Sequence, residues 1–289
     1  MTGSLTQVSF ETLATLLKTR SGLVIGQDKL YLLETRLANI LKREHLANLN
    51  RLAERLRGPG CESLAADVVE AMTTNESFFF RDDKPFTHFR QRALPYVIAH
   101  RPSGSTIRVW SAASSSGQEA YSLAMIVTEL RPQLGDRKVE ILGTDIAREQ
   151  VARARSGVYS QFEVQRGLPV QLLMKHFRKE DAGWRIGQPL RDMVQFREFN
   201  LLGDLRSLGR FDIVFCRNVL IYFDQTTKAR VLNAAAAQMA PDGFLYLGGA
   251  ETVMGITQRF MPLPQERGVY ALTGTGAPHT PAAKAMLPV

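Results

Sequence analysis

Cysteine is almost absent: the 289 residues hold two, Cys61 and Cys216. Cys216 sits inside an apolar run, so a disulfide framework is excluded and a reducing, cytoplasmic setting is expected. Histidine is also scarce. The five, His45, His88, His100, His176 and His279, are scattered, and none pairs with a cysteine or another histidine at metal-ligand spacing. No metal site is expected. No apolar run reaches the ~20 residues a bilayer crossing needs, which argues against membrane insertion. The opening residues, MTGSLTQVSF, lack the basic and then apolar stretches of a secretory signal. Acid is the minority charge, 28 Asp and Glu against 36 Lys and Arg, for a net +8. That excess predicts an acidic partner without choosing among nucleic acid, anionic membrane and protein.

What is present begins with RVWSAASSSGQEAYSLAM, Arg108 to Met125. An apolar run (Ile107, Val109, Trp110) ends in the small residues Ser111 to Ser116. Gly117 follows, and then helical spacing through Tyr121, Leu123, Ala124 and Val127. This reads as strand, tight turn and helix, the opening unit of a doubly wound α/β domain. Small residues let the backbone approach a ligand closely, and a helix start offers free N–H groups. A second strand, Val139 to Asp145, ends in an acid roughly 30 residues past the turn, near where such folds place a carboxylate on ribose hydroxyls. Gly117 is the only glycine of the turn, so a Gly-x-Gly-x-x-Gly grip on pyrophosphate is missing, as is a P-loop lysine. A nucleoside without phosphates fits better, and S-adenosylmethionine is the common one.

The remaining chain divides by pattern. Residues 1–80 read as a small helical domain, with Leu13, Leu16 and Leu17, then Leu30, Leu33, Leu37, Ile40 and Leu41, at helical spacing. Lys29, Arg36 and Arg43 stand seven apart on its second helix and form one cationic stripe. Residues 81–273 read as the α/β domain, with further strands at Val194–Phe199, Phe211–Cys216, Phe244–Gly248 and Gly268–Leu272, and a helix at Thr226–Ala240. Between about 157 and 193 the alternation of strand and helix breaks. Trp184 and Ile186, flanked by Gly183 and Gly187, suggest an inserted β-subdomain. The tail 274–289, rich in Ala, Pro and Gly, is expected to be flexible. Three segments carry further chemistry. TTNESFFFRDD, Thr73 to Asp83, sets Asn75, Ser77 and Arg81 around three phenylalanines and is expected to pack at the domain junction. Phe211 to Asp224 is a buried strand running straight into Arg217 and Asn218, with Tyr222 soon after, at the strand end where α/β folds bind ligands. Asn200 and Leu201 follow the third strand in the same way and could hold an adenine ring. Glu119, in the first turn of the first helix of the α/β domain, either favours the helix N-terminus or binds an ammonium group.

Together these segments resemble the CheR family of chemotaxis receptor methyltransferases. The matching stretches are TTNESFFFR, RVWSAASSSGQEAYSLAM, GTDIAREQVARARSGVYS, Asn200-Leu201-Leu202 and FCRNVLIYFD, in family order, within a similarity that covers about residues 5 to 273. The resemblance implies a helical N-terminal domain and an S-adenosylmethionine-dependent, Rossmann-like methyltransferase domain with an inserted antiparallel β-subdomain. It implies methyl transfer to glutamate side chains on the cytoplasmic helical bundle of chemoreceptors. The products would be glutamyl methyl esters and S-adenosylhomocysteine, and the enzyme a protein-glutamate O-methyltransferase acting as a monomer in sensory adaptation. By position, Asn75, Ser77 and Arg81 fall in the cofactor and reaction pocket. Glu119 falls at the methionine end, Asp145 at the ribose, and Asn200 and Leu201 at the adenine. Arg217 and Asn218 lie beside the methionyl portion, and Arg81 and Tyr222 nearest the transferring methyl. The stripe Lys29, Arg36, Arg43 becomes a candidate docking face for acidic receptor helices. Ser77 replaces a more usual Thr and keeps the hydroxyl. Gln118 and Ala120 replace Glu and Pro of enteric members. The run Phe177 to Trp184 is shorter than in relatives that bind a receptor-tail pentapeptide, which implies action without that tether.

Competing readings fare worse on the residues. A nucleic-acid amino-methyltransferase would carry an Asn/Asp-Pro-Pro-aromatic motif, whereas Asn218 is followed by Val219 and Leu220. A serine hydrolase using Ser115 or Ser116 would need Gly-x-Ser-x-Gly and a late histidine in the domain, whereas His279 lies in the tail. A module that holds S-adenosylmethionine without turnover remains open.

Overall fold

The computed structural model describes residues Ser4–Thr275. The chain forms two compact units. The smaller takes the residues before Glu76 together with Tyr222–Lys228, and the larger takes the rest.

In the smaller unit, α1 (Gln7–Ser21), α2 (Leu30–Arg43), α3 (Leu49–Arg57) and α4 (Glu62–Met72) bury Leu13, Leu17, Leu33, Leu37, Leu52 and Val68. Their ends follow local chemistry. Thr6 caps α1 by accepting from the Ser9 N–H, and Asn48 caps α3 by accepting from the Arg51 N–H. Gly22, at φ 81°, closes α1 in the left-handed region. A side chain there would also press on Phe223 and Thr227. The segment Tyr222–Lys228 is tied to this unit by the Val24 N–H donating to the Tyr222 carbonyl and by a 2.7 Å ion pair between Lys18 and Asp224.

The larger unit opens with α5 (Lys84–His88), a short π-helical turn and α6 (Leu94–His100). The chain then runs through β1 (Thr106–Ala112), α7 (Gln118–Glu129), α8 (Arg131–Leu134), β2 (Lys138–Asp145) and α9 (Arg148–Ser156). Next come β3 (Val158–Tyr159), α10 (Gln161–Gln165), α11 (Val170–His176), β4 (Phe177–Glu180), β5 (Gly183–Ile186) and α12 (Gln188–Met193). It ends with β6 (Val194–Glu198), β7 (Phe211–Cys216), α13 (Gln225–Ala237), β8 (Met239–Leu247), β9 (Phe260–Pro262) and β10 (Val269–Leu272). One sheet has the order β6-β2-β1-β7-β8-β10-β9, and a second has the order β3-β5-β4. Strands β6, β2, β1, β7 and β8 are parallel, while β10 runs antiparallel to its neighbours β8 and β9. This is the doubly wound α/β fold with an inserted antiparallel element.

The central strands are buried on both faces, and β7 is buried at every residue, which explains its nearly unbroken apolar run. Its one acid, Asp212, is not an exception. One oxygen accepts from the Arg101 guanidinium at 2.6 Å and the other from the Arg108 N–H at 2.8 Å. Asp242, within β8, pairs with the same arginine. The helix expected to reach Ala240 ends at Ala237, because Met239 already pairs with Phe211 across a register shift. Lys29 is likewise not on the second helix. It closes a single 3₁₀ turn, Gln27–Lys29, just ahead of α2. Of the tail expected to be flexible, all but Gly274 and Thr275 lies outside the described residues.

Candidate active site

Register decides where the site falls. Ala112 of β1 pairs with Thr144 of β2 on one side and Cys216 of β7 on the other. The carboxyl ends of three strands therefore meet at the point where the sheet order reverses, with β1, β2 and β6 wound one way and β7 and β8 the other. Ligands of open α/β sheets bind there. The register brings Ser111, Asp145, Arg217 and Asn218 to that end. β6 pairs Glu198 with Asp145, so Asn200 and Leu201 emerge at the same end.

Strained backbone gathers in the same place. Ala113, Ser115 and Asn218 have φ of 56°, 49° and 59°, and Phe80, Asp82 and Asp83 have 52°, 68° and 33°. Non-glycine residues rarely adopt this region, and clusters of them accompany sites whose geometry is over-determined by their surroundings. Gly117 at φ 93° starts α7, and a side chain there would meet Phe196 at 2.8 Å and Ala154 at 2.9 Å.

Asp145 is buried at the end of β2 and holds the small-residue turn. One carboxylate oxygen accepts from the Ser115 N–H at 2.7 Å and the other from the Ala147 N–H at 2.9 Å. A carboxylate oxygen can accept twice, so this bonding is compatible with further acceptance from ligand hydroxyls. Asn200 turns its own backbone, its side-chain oxygen accepting from the Leu202 N–H at 2.9 Å, and Leu201 beside it is buried.

Glu119 and Arg217 form the charged centre. One Glu119 oxygen accepts from the Ser111 hydroxyl at 2.8 Å and the other from Arg217 Nη1 at 2.9 Å. Arg217 Nη2 donates to the Arg81 carbonyl and to the Asp82 carboxylate, both at 2.7 Å. The Arg217 side chain is only 1% exposed, and its Nε is buried without a hydrogen-bond partner. An orphaned buried donor costs about 1–3 kcal/mol, and more on a charged group. An acid and a base held side by side match a zwitterionic amino-acid group, the methionyl end of S-adenosylmethionine. The residues thus fit that cofactor. Cys216, between these strand ends, has its thiol pushed well above the ordinary range by burial and then by the Glu251 and Glu119 carboxylates. It stays a neutral packing group.

The TTNESFFFR stretch is anchored by its middle phenylalanine. Phe79 is fully buried and meets Tyr159 and Phe177 edge-on at 5.0 and 5.6 Å. These ring partners lie in the inserted β-subdomain of the larger unit, so Phe79 does not need a domain junction to be buried. The Phe80 N–H donates to the Ser122 hydroxyl at 3.1 Å. Arg81 Nη1 donates to the Glu76 carbonyl at 2.9 Å, and its guanidinium lies 5.5 Å from the Phe78 ring. Ser77 is half-buried in this loop. Asn75 and Tyr222 belong to the smaller unit. There Asn75 donates to the Thr73 hydroxyl at 3.0 Å, and Tyr222 ends a short 3₁₀ turn, Leu220–Tyr222.

The cationic stripe is less uniform than its spacing suggests. Arg36 spends its guanidinium on the carbonyls of Met72 and Thr73 and on the Thr74 hydroxyl, at 2.7, 2.9 and 3.0 Å. It closes the end of α4, whose last carbonyls would otherwise lack donors. Arg43 pairs with Glu44 and Asp67 and stays half-exposed, while Lys29 is exposed.

Two residues escaped the sequence reading. Asp82 pairs with Arg217, and nothing in its local pattern marks it. Glu251 gathers five backbone N–H groups, from Gly248 and from Asn218 through Ile221. A signal existed for Glu251, since an acid four residues past the apolar strand Phe244–Leu247 stands at the ligand-binding end of the sheet.

A doubly wound sheet with an acid ending its second strand, a glycine-started helix after its first and a buried acid–base pair between them defines an S-adenosylmethionine-dependent methyltransferase. Residues 75–269 match the family described as CheR methyltransferase, SAM binding domain, and residues 9–73 match CheR methyltransferase, all-alpha domain. The chain belongs to the CheR family. It is 36% identical over 266 residues to the chemotaxis protein methyltransferase Cher2 of Pseudomonas putida, covering 91% of this chain and 96% of that one. It is 37% identical over 273 residues to chemotaxis protein methyltransferase 1 of Pseudomonas aeruginosa, covering 92% and 98%. It is 39% identical over 249 residues to the chemotaxis protein methyltransferase of Vibrio parahaemolyticus, covering 84% and 89%. Its cofactor is S-adenosylmethionine, and its activity is methyl transfer in chemotaxis. Among the described residues, no helix is long and apolar enough to cross a membrane.

Proposed function

We propose that this enzyme methylates glutamate side chains on the helical cytoplasmic region of chemoreceptors, giving glutamyl methyl esters and S-adenosylhomocysteine. The observation that carries the reading is the Ser111–Glu119–Arg217–Asp82 chain of hydrogen bonds beside the strand end, built around the buried Arg217 guanidinium. A glutamate acceptor has a pKa of ~4.3 and is ionised at neutral pH, so no proton need be removed. A hydrated carboxylate is a poor nucleophile, so the site must strip water and align it.

S-adenosylmethionine, when bound, supplies an electrophilic sulfonium methyl. Transfer of that methyl to an acceptor oxygen would leave the carbon–sulfur electron pair on the thioether of S-adenosylhomocysteine. Glu119 and Arg217 would hold the amino-acid end, Asp145 would accept from the ribose, Asn200 and Leu201 would flank the adenine, and Asn75, Ser77 and Asn218 keep the cofactor roles that their family positions imply. Arg81 neutralises the incoming carboxylate, and Tyr222 sets its angle. Docking falls to Lys29 and Arg43, with Arg36 keeping the 72–74 segment in place beneath them.

Tether independence is part of the proposal. The β4–β5 hairpin turns at Asp181 and Ala182, short for a peptide-binding edge. A cavity of about 660 Å³ beside it is lined by Lys175, Arg178, Arg185 and Arg191, among others, so a receptor-tail pentapeptide is the probe to titrate. Saturable micromolar binding would overturn this part.

The deciding experiment is transfer of labelled methyl to purified receptor cytoplasmic domains. The expected product releases methanol in mild alkali, as esters do and N-methyl groups do not. Label stable to alkali, or no transfer, would overturn the assignment of glutamate.

A further inference from the structure

The turn after β7 carries Arg217 and Asn218 at its start and leads into Tyr222. Its backbone is unusual. Asn218 takes a left-handed conformation, φ 59°, which an Asn tolerates better than most residues. The four N–H groups that follow the strand then converge, as consecutive N–H groups do in anion-binding concavities. One carboxylate fills the concavity. Glu251 Oε1 accepts from the N–H groups of Val219, Leu220 and Ile221 at 2.9, 2.7 and 3.3 Å. Its Oε2 accepts from Asn218 and Gly248 at 2.8 and 2.6 Å. Gly248 is a glycine for the same reason. A Cβ there would stand 2.8 Å from both Glu251 Oε2 and Asn218 Nδ2.

We propose that Glu251 is a positioning residue for methyl transfer, an internal anion whose charge holds the turn that presents Arg217, Asn218 and Tyr222. It acts through the backbone and touches no reacting atom. The inference rests on the roles given to those three residues above. It does not depend on which side chain accepts the methyl group.

The physical argument is one of charge and shape. Five donors around a carboxylate form charge-assisted bonds, roughly twice as strong as neutral ones. Without the carboxylate, the donors of a half-buried turn repel one another and need another acceptor. The turn would then open, and site residues a few ångströms away would lose register. Misplacement by about 1 Å costs on the order of 10²-fold in turnover. A small carboxylate from solution has the charge and the geometry to refill the gap left by Glu251→Ala.

The test measures S-adenosylhomocysteine affinity by calorimetry, and turnover wherever wild-type enzyme shows it, with and without added formate. For Glu251→Ala the expected result is a dissociation constant raised on the order of tenfold or more. Formate should restore much of the loss, and chloride at equal ionic strength should not. Wild-type affinity, or a loss that formate mends no better than chloride, would overturn the proposal. If Glu251→Ala does not fold, Glu251→Gln keeps the volume but turns an N–H₂ group toward backbone donors. Weakened cofactor affinity in a cooperatively folding Glu251→Gln supports the role, and unchanged affinity overturns it. Product binding requires no methyl acceptor, so a wild type that binds S-adenosylhomocysteine yet fails to methylate receptors counts against the glutamate assignment alone.

Discussion

Glu119 and Arg217 lie 98 residues apart in sequence and meet at 2.9 Å, the acid carried by α7 and the base by the turn after β7. Removing one partner of a buried pair leaves the other uncompensated, which costs more than the pair itself contributes. Glu119→Gln keeps the hydrogen bond to Ser111 within reach but strips the charge facing Arg217. Its affinity for S-adenosylhomocysteine is expected to fall by about 1–3 kcal/mol, with a lower melting temperature. Calorimetry and thermal denaturation on the same sample check both, and an unchanged affinity would remove Glu119 from the cofactor pocket.

Asp145 has a double task, because it accepts from Ser115 and Ala147 before any ligand arrives. Asp145→Ala should therefore lose stability as well as cofactor affinity, by about 1–3 kcal/mol for each group left unpaired. Asp145→Asn should keep one of the two backbone bonds and lose less. A variant that melts early but binds the product normally would confine Asp145 to holding the turn.

Arg81→Ala should abolish turnover and leave the fold intact, since the bond its side chain donates to the Glu76 carbonyl lies within a single loop and the Arg81 carbonyl that Arg217 uses is kept. Tyr222→Phe should lower kcat more than it weakens cofactor binding. Rapid-quench measurement of methyl transfer with parallel binding assays separates these effects. Near wild-type turnover in both variants would dismiss them from the reacting centre.

Within the cationic stripe, Arg36 and Arg43 should behave differently. Arg36→Ala leaves the Met72 and Thr73 carbonyls without their donor and should lower the melting temperature. Arg43→Glu should raise the apparent KM for receptor at low salt and lose that effect as salt screens it. Equal receptor kinetics for wild type and Arg43→Glu at low ionic strength would end the docking proposal.

His88 gives the protein an acid weakness. Its Nδ1 lies 2.7 Å from the Tyr246 hydroxyl, its Nε2 is buried without a partner, and burial followed by the Arg92 charge lowers its pKa to about 4. An unfolded histidine titrates near ~6.5, so the unfolded chain binds the extra proton first. The stability that neutral His88 contributes is complete above pH ~6.5 and is lost as pH falls toward about 4, a change of roughly 3 kcal/mol. Urea unfolding of wild type and His88→Gln across that range should show the steeper acid loss in wild type. Parallel curves would refute it.

Several candidate positions were legible in the chain. Asp145 ends an apolar strand, Arg217, Asn218 and Asn200 stand just past one, and a strand that ends in polar residues names its own ligand-facing end. Glu119 was legible as a residue but not as a partner, because its ion pair closes over 98 positions. Arg36 was legible as a cation of the stripe but not in its bonds to Met72, Thr73 and Thr74. Helical spacing showed that it shares a face with Arg43, yet whether an arginine faces solvent or a neighbouring helix end depends on what packs there. Glu251 was missed because its acceptors are backbone N–H groups, which carry no side-chain signature.

Period, strand ends and turn residues are local properties, set by sterics and by the burial of apolar faces over a few residues. They sufficed for the α/β class, for the helices that lie before Thr73 and for the family motifs. Which atoms pair across the molecule is a different matter. The strand order β6-β2-β1-β7-β8, the joining of Ser111, Glu119, Arg217 and Asp82 into one chain, and the filling of the Asn218–Ile221 concavity by Glu251 exist only once the sheet is assembled. Hydrogen bonds and ion pairs act over about 3 Å, and only the folded backbone brings residues so distant in sequence within that reach.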